Sequence, residues 1–382
     1  MSNSFNNVID YARTQLDTFE QRSLCRVDSL VFSCLAYLRI PQEAQAAYAM
    51  EGICIKDLYR ADWFDELCNK VYDPQAARDL LAAVAANPRF RDVLVCGYST
   101  LLDKRTEQQF CAMSFRMSHT DTFVAFRGTD NTLVGWKEDF NMSFQTAVPS
   151  QVSAVLYLEW IASQVEGRIW CGGHSKGGNL AVYAGVMCKP QTRERVQTCF
   201  SHDGPGFSAQ TMSDNRWGNL GELVDKTIPQ SSVIGMIFEQ QEREFSVVHS
   251  RGAGFSQHDP YKWEVDGCDF VLDSKLQMGA NVFDSSINEW LGSASEEERE
   301  HFVDTVFGVL ESSGETTMGG IRRNWRTTVP KIVTAIKELD VNDRAVVVSA
   351  VVDVLYAMLP TMPQIDMLLG RYKKMIPGPA SA

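Results

Sequence analysis

Apolar positions in the first ninety residues recur at helical spacing. Val8, Tyr11, Ala12 and Leu16 share one face, and Leu30, Val31, Cys34, Leu35 and Leu38 another. The pattern predicts an N-terminal helical segment over residues 1–90. Near Val93 the period shortens. Phe110 to Met117 and Thr122 to Phe126 read as β-runs with Ser118-His119-Thr120-Asp121 as a polar turn, which predicts a hairpin. A helical pattern follows from about Gln151 to Val165, then the strand Arg168 to Cys171, a glycine-rich turn and a helix from about Gly178 to Met187. Strand, turn and helix in that order form a parallel crossover unit. Further apolar runs, Val196 to Phe200 and Ser232 to Phe238, continue the alternation to about residue 275. Residues 91–283 are therefore expected to be an α/β core with a mostly parallel central sheet.

From Asp284 onward the pattern is helical again, giving a C-terminal helical region over residues 284–382. Ser295 and Glu298 have capping-box spacing, and Phe302, Val303, Val306, Phe307 and Leu310 make one apolar face ending near Gly314. Leu339 to Leu359 predicts at least one more helix. Between the second β-run and the next helix lies a stripe of large apolar residues: Leu133, Val134, Trp136, Phe140, Met142 and Phe144. It reads either as a lid over an acyl-chain pocket or as ordinary packing. Lys137, Glu138 and Asp139 within it read as a solvated face.

Composition narrows the function classes. Of 382 residues, 45% are apolar and 22% charged, enough for a sizeable core. A formal net charge of −12 argues against nucleic acid or an anionic membrane as the main partner. The first thirty residues lack the basic start and apolar run of a secretory signal, so a cytoplasmic protein is expected. The longest apolar stretch, Ala345 to Leu359, is short for a span and carries Asp353, so no transmembrane segment is expected. The ten cysteines contain no C-x-x-C pair and read as reduced thiols, with neither a metal site nor an organic cofactor implied.

The candidate chemistry centres on Gly173-His174-Ser175-Lys176-Gly177. A serine hydroxyl that attacks an acyl carbon must stand clear of the backbone on a sharp strand-to-helix turn, which needs very small residues two before and two after it. The five-residue motif alone arises by chance in roughly one chain in ten of this length. Its setting is more specific: an apolar strand leads in, Gly172 and Gly178 flank it, and Leu180, Val182, Tyr183, Ala184, Val186 and Met187 form an apolar helix behind it. The backbone N–H of Lys176, at the positive end of that helix, is one expected oxyanion donor. Thr129, closing the run Phe123-Val124-Ala125-Phe126-Arg127-Gly128, is the other. A base working near neutral pH must be a histidine. His174 points away on such a turn, and His119, His202 and His301 sit in a hairpin turn, beside Asp203 and in the helical appendage. His258, in the polar loop from Gly252 to Pro260, is preferred to His249. Asp203 follows the strand after the motif, 28 positions beyond Ser175 (203 − 175), with Asp225 or Glu239 as substitute acids.

These segments resemble known proteins. Phe126-Arg127-Gly128-Thr129 and Gly172-Gly173-His174-Ser175-Lys176-Gly177-Gly178-Asn179-Leu180 are similar to the strand end and serine turn of class 3 lipases. A closer resemblance is to an uncharacterised bacterial family of lipase-like α/β-hydrolases, carried by that turn, by Asp203-Gly204-Pro205-Gly206-Phe207, by Ile228-Pro229-Gln230-Ser231-Ser232, and by His258-Asp259 followed by Trp263. The resemblance implies an α/β-hydrolase fold and a triad of Ser175, His258 and Asp203. In class 3 lipases the acid follows the next strand, where this chain reads Ser231-Ser232-Val233 and has no carboxylate. Two functions stay open: a serine hydrolase cleaving a small-molecule or lipid ester through an acyl-serine, or a catalytically weak hydrolase-fold protein acting as a binding or regulatory module. No protein partner is indicated.

Overall fold

The computed structural model describes residues 5–340 apart from 70, 72, 143–144, 221–222, 233, 237–244, 253, 275 and 277–293, together with Val347 and Val351. The chain forms two compact units, Met1–Asp130 with Thr146–Asp284 and Asn131–Gln145 with Ser285–Ala382. In the first unit an eight-stranded sheet runs β1 (Ile53–Cys54), β2 (Leu94–Asp103), β3 (Gln108–Arg116), β4 (Asp121–Phe126), β5 (Arg168–His174), β6 (Val196–His202), β7 (Val224–Pro229) and β8 (Phe245–Val248), in spatial order identical to chain order. Strands β1 to β4 are antiparallel and β4 to β8 parallel. The expected hairpin is β3–β4. Where a strand is expected over Ser232 to Phe238, the described residues Ile234–Met236 form a short 3₁₀ turn, and 233, 237 and 238 lie outside the described residues. The strand lies one step earlier as β7, whose Asp225 and Lys226 break the apolar run that a sequence pattern needs.

The helices cover the sheet on both faces. On one side lie α1 (Val8–Thr14), α2 (Arg26–Leu35) and α3 (Pro74–Ala86). Asn7 starts α1 by accepting the N–H groups of Ile9 and Asp10 while the Asp10 carboxylate returns to the Asn7 N–H. The helix ends at Thr14, so Leu16 falls beyond it and is exposed rather than on the α1 face. Phe32 of α2 stacks on Phe115 and Phe123, ring centroids 4.5 and 5.2 Å away, and joins helix layer to sheet. On the other side are α5 (Pro149–Gln164) and α6 (Lys176–Met187), with Tyr157 packed against Phe110 and Phe126. Strand alternation explains the split, since Phe123 and Phe126 of β4 point to opposite faces.

The second unit contains α4 (Leu133–Asn141), α7 (Glu296–Glu311), α8 (Met318–Arg323) and α9 (Trp325–Glu338). Ser295 and Glu298 make the capping box that starts α7. Leu133, Trp136 and Phe140 of α4 pack with Phe302, Phe307, Leu310, Ile321 and Ile332, and the rings of Phe140 and Phe307 are 5.5 Å apart. The expectation of a solvated Lys137–Asp139 face is corrected: Glu138 is fully buried, and Lys137 pairs with Asp304 at 2.7 Å. Phe144 and all of 339–359 after Asp340 except Val347 and Val351 lie outside the described residues. Among the described residues no helix is long and apolar enough to cross a membrane.

One ion pair locks the N-terminal layer. Arg89 and Asp28, both with side chains fully inaccessible, are joined at 2.5 and 2.8 Å. The remaining Arg89 donors reach the carbonyls of Asp17, Arg22 and Ser23, and Asp28 also accepts from Tyr11 Oη and the Cys25 N–H. Removing one member leaves the other charged and unpaired in the interior, which costs about 3–5 kcal/mol. Arg89→Met is therefore expected to lower the free energy of unfolding by about that amount in urea titration. A loss under about 1 kcal/mol would show that the pair is no anchor.

Candidate active site

Strand β5 ends at His174 and α6 begins at Lys176, so Ser175 alone makes the turn, with φ 58° and ψ −135°. A non-glycine residue held there stores about 1–3 kcal/mol of strain, sustained by its surroundings. Its N–H donates to the His202 carbonyl at 2.9 Å and its carbonyl accepts from the Gly178 N–H at 2.9 Å. The two glycines are required by close approach rather than by dihedral angle. A Cβ at Gly173 would lie 2.6 Å from the Phe126 carbonyl oxygen and collide with the Gly177 backbone. One at Gly177 would collide with the same Phe126 carbonyl.

The strand that carries the expected oxyanion residue meets this turn directly. A Cβ at Gly128 would sit 2.6 Å from the His174 carbonyl and 3.1 Å from Ser175 Cβ. Thr129, the next residue, is half-buried in the turn after β4. Lys176 is the first residue of α6, whose N-terminal end carries the positive pole of the helix. Its ammonium is buried and donates to the Gln109 carbonyl at 3.0 Å.

Asp203 and His258 are brought together 55 residues apart in sequence. Asp203, following β6 with φ 51°, is completely buried, and its Oδ2 accepts from His258 Nδ1 at 2.6 Å. Its Oδ1 accepts from the Ser232 hydroxyl at 2.5 Å and the Gly235 N–H at 3.1 Å. With the Nδ1 hydrogen given to a carboxylate, a neutral His258 ring carries its lone pair at Nε2. The Ser231-Ser232 position, where class 3 lipases were expected to place the acid, thus supplies a hydroxyl donor to the carboxylate one strand earlier. Asp225 lies near the opposite, N-terminal end of β7, in a bidentate pair with Arg26 at 2.7 and 2.8 Å. Glu239 is outside the described residues. His249 faces Asp273 at 3.0 Å, apart from the Asp203–His258 pair. Among the described residues Ser175 Oγ has no hydrogen-bond partner.

Two further histidines frame the site. The sequence sets His174 aside as pointing away, yet its ring packs on His258 with centroids 4.5 Å apart. Its Nε2–H donates to the His258 carbonyl at 2.8 Å, which leaves Nδ1 to accept from the Tyr37 hydroxyl at 3.0 Å. Burial, then the neighbouring His258, holds its pKa well below the usual imidazole range. His202 is fully buried against Phe200, Trp263 and Phe270. The Ser29 hydroxyl gives its hydrogen to the Arg26 carbonyl at 2.6 Å and accepts from His202 Nε2 at 2.7 Å. Burial, then the nearby Arg26 charge, lowers the His202 pKa from 6.5 to about 3. Neither residue carries a local sequence signal, because the partners of each come from other segments.

A mostly parallel sheet sandwiched between helices, with a strained serine on the turn between its central strand and the following helix, is the architecture of an α/β-hydrolase of lipase-like form. Residues 84–308, more than half of the chain, match the Mbeg1-like family, and the protein belongs to that family. No curated protein sequence matches it. Among solved structures it is similar to M37 lipase, at 14% identity over 54% of this chain and 68% of that one with a TM-score of 0.32. A fungal lipase–inhibitor complex described as a model for interfacial activation is 12% identical over 68% and 89%, with a TM-score of 0.36. The Rhizomucor miehei lipase propeptide complex is 11% identical over 68% and 77%, with a TM-score of 0.35.

Burial of His202 sets a pH dependence of stability. Its folded pKa, about 3, is below the 6.5 of a free imidazole, so the unfolded chain binds the extra proton between those values. Its contribution is complete above about pH 6.5 and falls by about 1.4 kcal/mol per unit as pH drops toward 3. Urea unfolding at pH 7 and pH 4 should differ by about 3 kcal/mol through this residue, with His174 adding in the same direction. His202→Leu is expected to flatten the profile, and an unchanged slope in that variant would assign the acid sensitivity elsewhere.

Proposed function

We propose that the protein is a serine hydrolase that cleaves an ester through an acyl-serine intermediate. Ser175 Oγ attacks the acyl carbon, His258 Nε2 takes its proton and returns it to the leaving alcohol, and Asp203 orients the imidazole and stabilises the imidazolium. The backbone N–H of Lys176 and the N–H or hydroxyl of Thr129 hold the developing oxyanion. The observation that carries the reading is the buried Asp203 carboxylate on His258 Nδ1, beside a serine strained into a left-handed turn at the end of β5. A small-molecule or lipid ester is the proposed substrate class, and the reaction needs no cofactor or metal. The ten cysteines are all free thiols, which supports a reducing, cytoplasmic setting.

A second reading, a hydrolase scaffold kept for binding or regulation, is favoured by the absence of a hydrogen bond to Ser175 Oγ among the described residues. Catalytic hydrogen bonds often close only with substrate, so a chemical probe separates the two. A fluorophosphonate is expected to label the wild type and to leave Ser175→Ala unlabelled, with ester hydrolysis lost and the fold intact. Ser175→Ala activity within tenfold of wild type on a short p-nitrophenyl ester would remove the nucleophile from this reading.

The acid has its own test. Asp203→Asn keeps size and turn but favours the wrong imidazole tautomer, so kcat should fall by roughly three to four orders of magnitude with little change in KM. A decrease of only a few fold, with labelling by the probe retained, would leave Ser175 and His258 as a dyad.

A further inference from the structure

We propose that Tyr37 and His174 form a brace that fixes the backbone of His258 against the Ser175 turn, making His174 a positioning residue for hydrolysis; the inference rests on the Ser175–His258–Asp203 reading. Both ring nitrogens of His174 are committed, Nε2–H to the His258 carbonyl and Nδ1 to the Tyr37 hydroxyl. The ring therefore has no lone pair to offer Ser175, although it belongs to the neighbouring residue.

What the brace adds follows from how His258 is otherwise held. Asp203 holds the ring at Nδ1, a side-chain contact that does not by itself fix where the loop backbone lies. His174 holds the carbonyl of the same residue, and its ring lies against the His258 ring. The preceding residue is fixed too, since Trp263 Nε1–H donates to the Gln257 carbonyl at 2.8 Å. His174 is itself the last residue of β5, paired in register with His202 of β6, so it moves as one body with the serine. The other end of the brace reaches the oxyanion side: a Cβ at Gly128 would strike the Tyr37 hydroxyl. Strand end, serine turn and histidine loop are thereby linked through two side chains. Burial keeps His174 neutral, so the brace holds unchanged while His258 gains and loses its proton. Displacement of a reacting group by about 1 Å costs on the order of a hundredfold in rate, which is the scale on which a positioning residue acts.

The test compares wild type, His174→Leu, His174→Gln and Tyr37→Phe. The readouts are kcat and KM on a p-nitrophenyl ester, fluorophosphonate labelling rate, thermal midpoint, and hydrogen exchange over Gly254–His258. His174→Leu should lower kcat and labelling about 10- to 100-fold with KM within about threefold, and should speed exchange over that loop. His174→Gln, whose amide can donate to the His258 carbonyl and accept from Tyr37, should restore most of both. Tyr37→Phe should lower kcat by roughly three- to tenfold without changing KM. His174→Leu within threefold of wild-type kcat, or His174→Gln as impaired as Leu at equal thermal midpoint, would overturn the brace. Should His174→Leu fail to fold, Tyr37→Phe decides, and a wild-type kcat in it overturns the proposal. A wild type that neither labels nor hydrolyses esters sinks the triad reading instead. Exchange over Gly254–His258 then decides the brace alone: acceleration in His174→Leu supports it, and no change overturns it.

Discussion

The site depends on how closely the backbone can approach itself around Ser175. Phe126 of β4 ends with its carbonyl oxygen lodged between Gly173 and Gly177, in space that any side chain at either position would fill. Because that contact is so short, the chain reverses within a single residue, and Ser175 takes a dihedral combination that costs free energy. The same contact brings the end of β4, with Gly128 and Thr129, against the start of α6. Serine, the end of β4 and the start of α6 are one packing event rather than three separate features.

Around that turn, each face of the sheet has a separate duty. Helices α5 and α6 cover one face and carry Lys176 and the helix dipole to the site. Helices α1 to α3 cover the other, tied by the Arg89–Asp28 pair and the Phe32 stack on β3 and β4. Tyr37, two residues after α2, reaches His174 from that second layer. The N-terminal segment, which carries no recognisable chemistry in sequence, thus touches the candidate site. The parallel strands β5 and β6 deliver Ser175 and Asp203 at their C-terminal ends, where α/β sheets leave a crevice. Asp225, near the N-terminal end of β7, is by the same rule on the wrong edge, where Arg26 neutralises it.

Much of this was legible in the residues. Glycine spacing has one physical cause, close approach, and the serine turn could be read from Gly173 and Gly177 with the apolar strand and helix on either side. The β3–β4 hairpin and the α7 capping box follow from local rules of the same kind. Strand β7 was missed because Asp225 and Lys226 find partners or burial in three dimensions that no local window records. Glu138 was misjudged for the same reason: a charge in a mixed stripe reads as solvated until the helix packs and buries it.

The sequence by itself determined the strand–turn–helix unit, the mostly parallel α/β core and a short set of candidate residues, because backbone sterics and hydrophobic period act over a few neighbouring positions. It left open which carboxylate meets which histidine. That choice joins residues 55 positions apart, and only the tertiary structure makes it, by aligning the end of β6 with the His258 loop and setting Ser232 and Gly235 around the same carboxylate. The role of His174 is of this second kind. A histidine beside a serine is uninformative in sequence, and its meaning comes from Tyr37 and His258, which chain folding alone places on its two nitrogens.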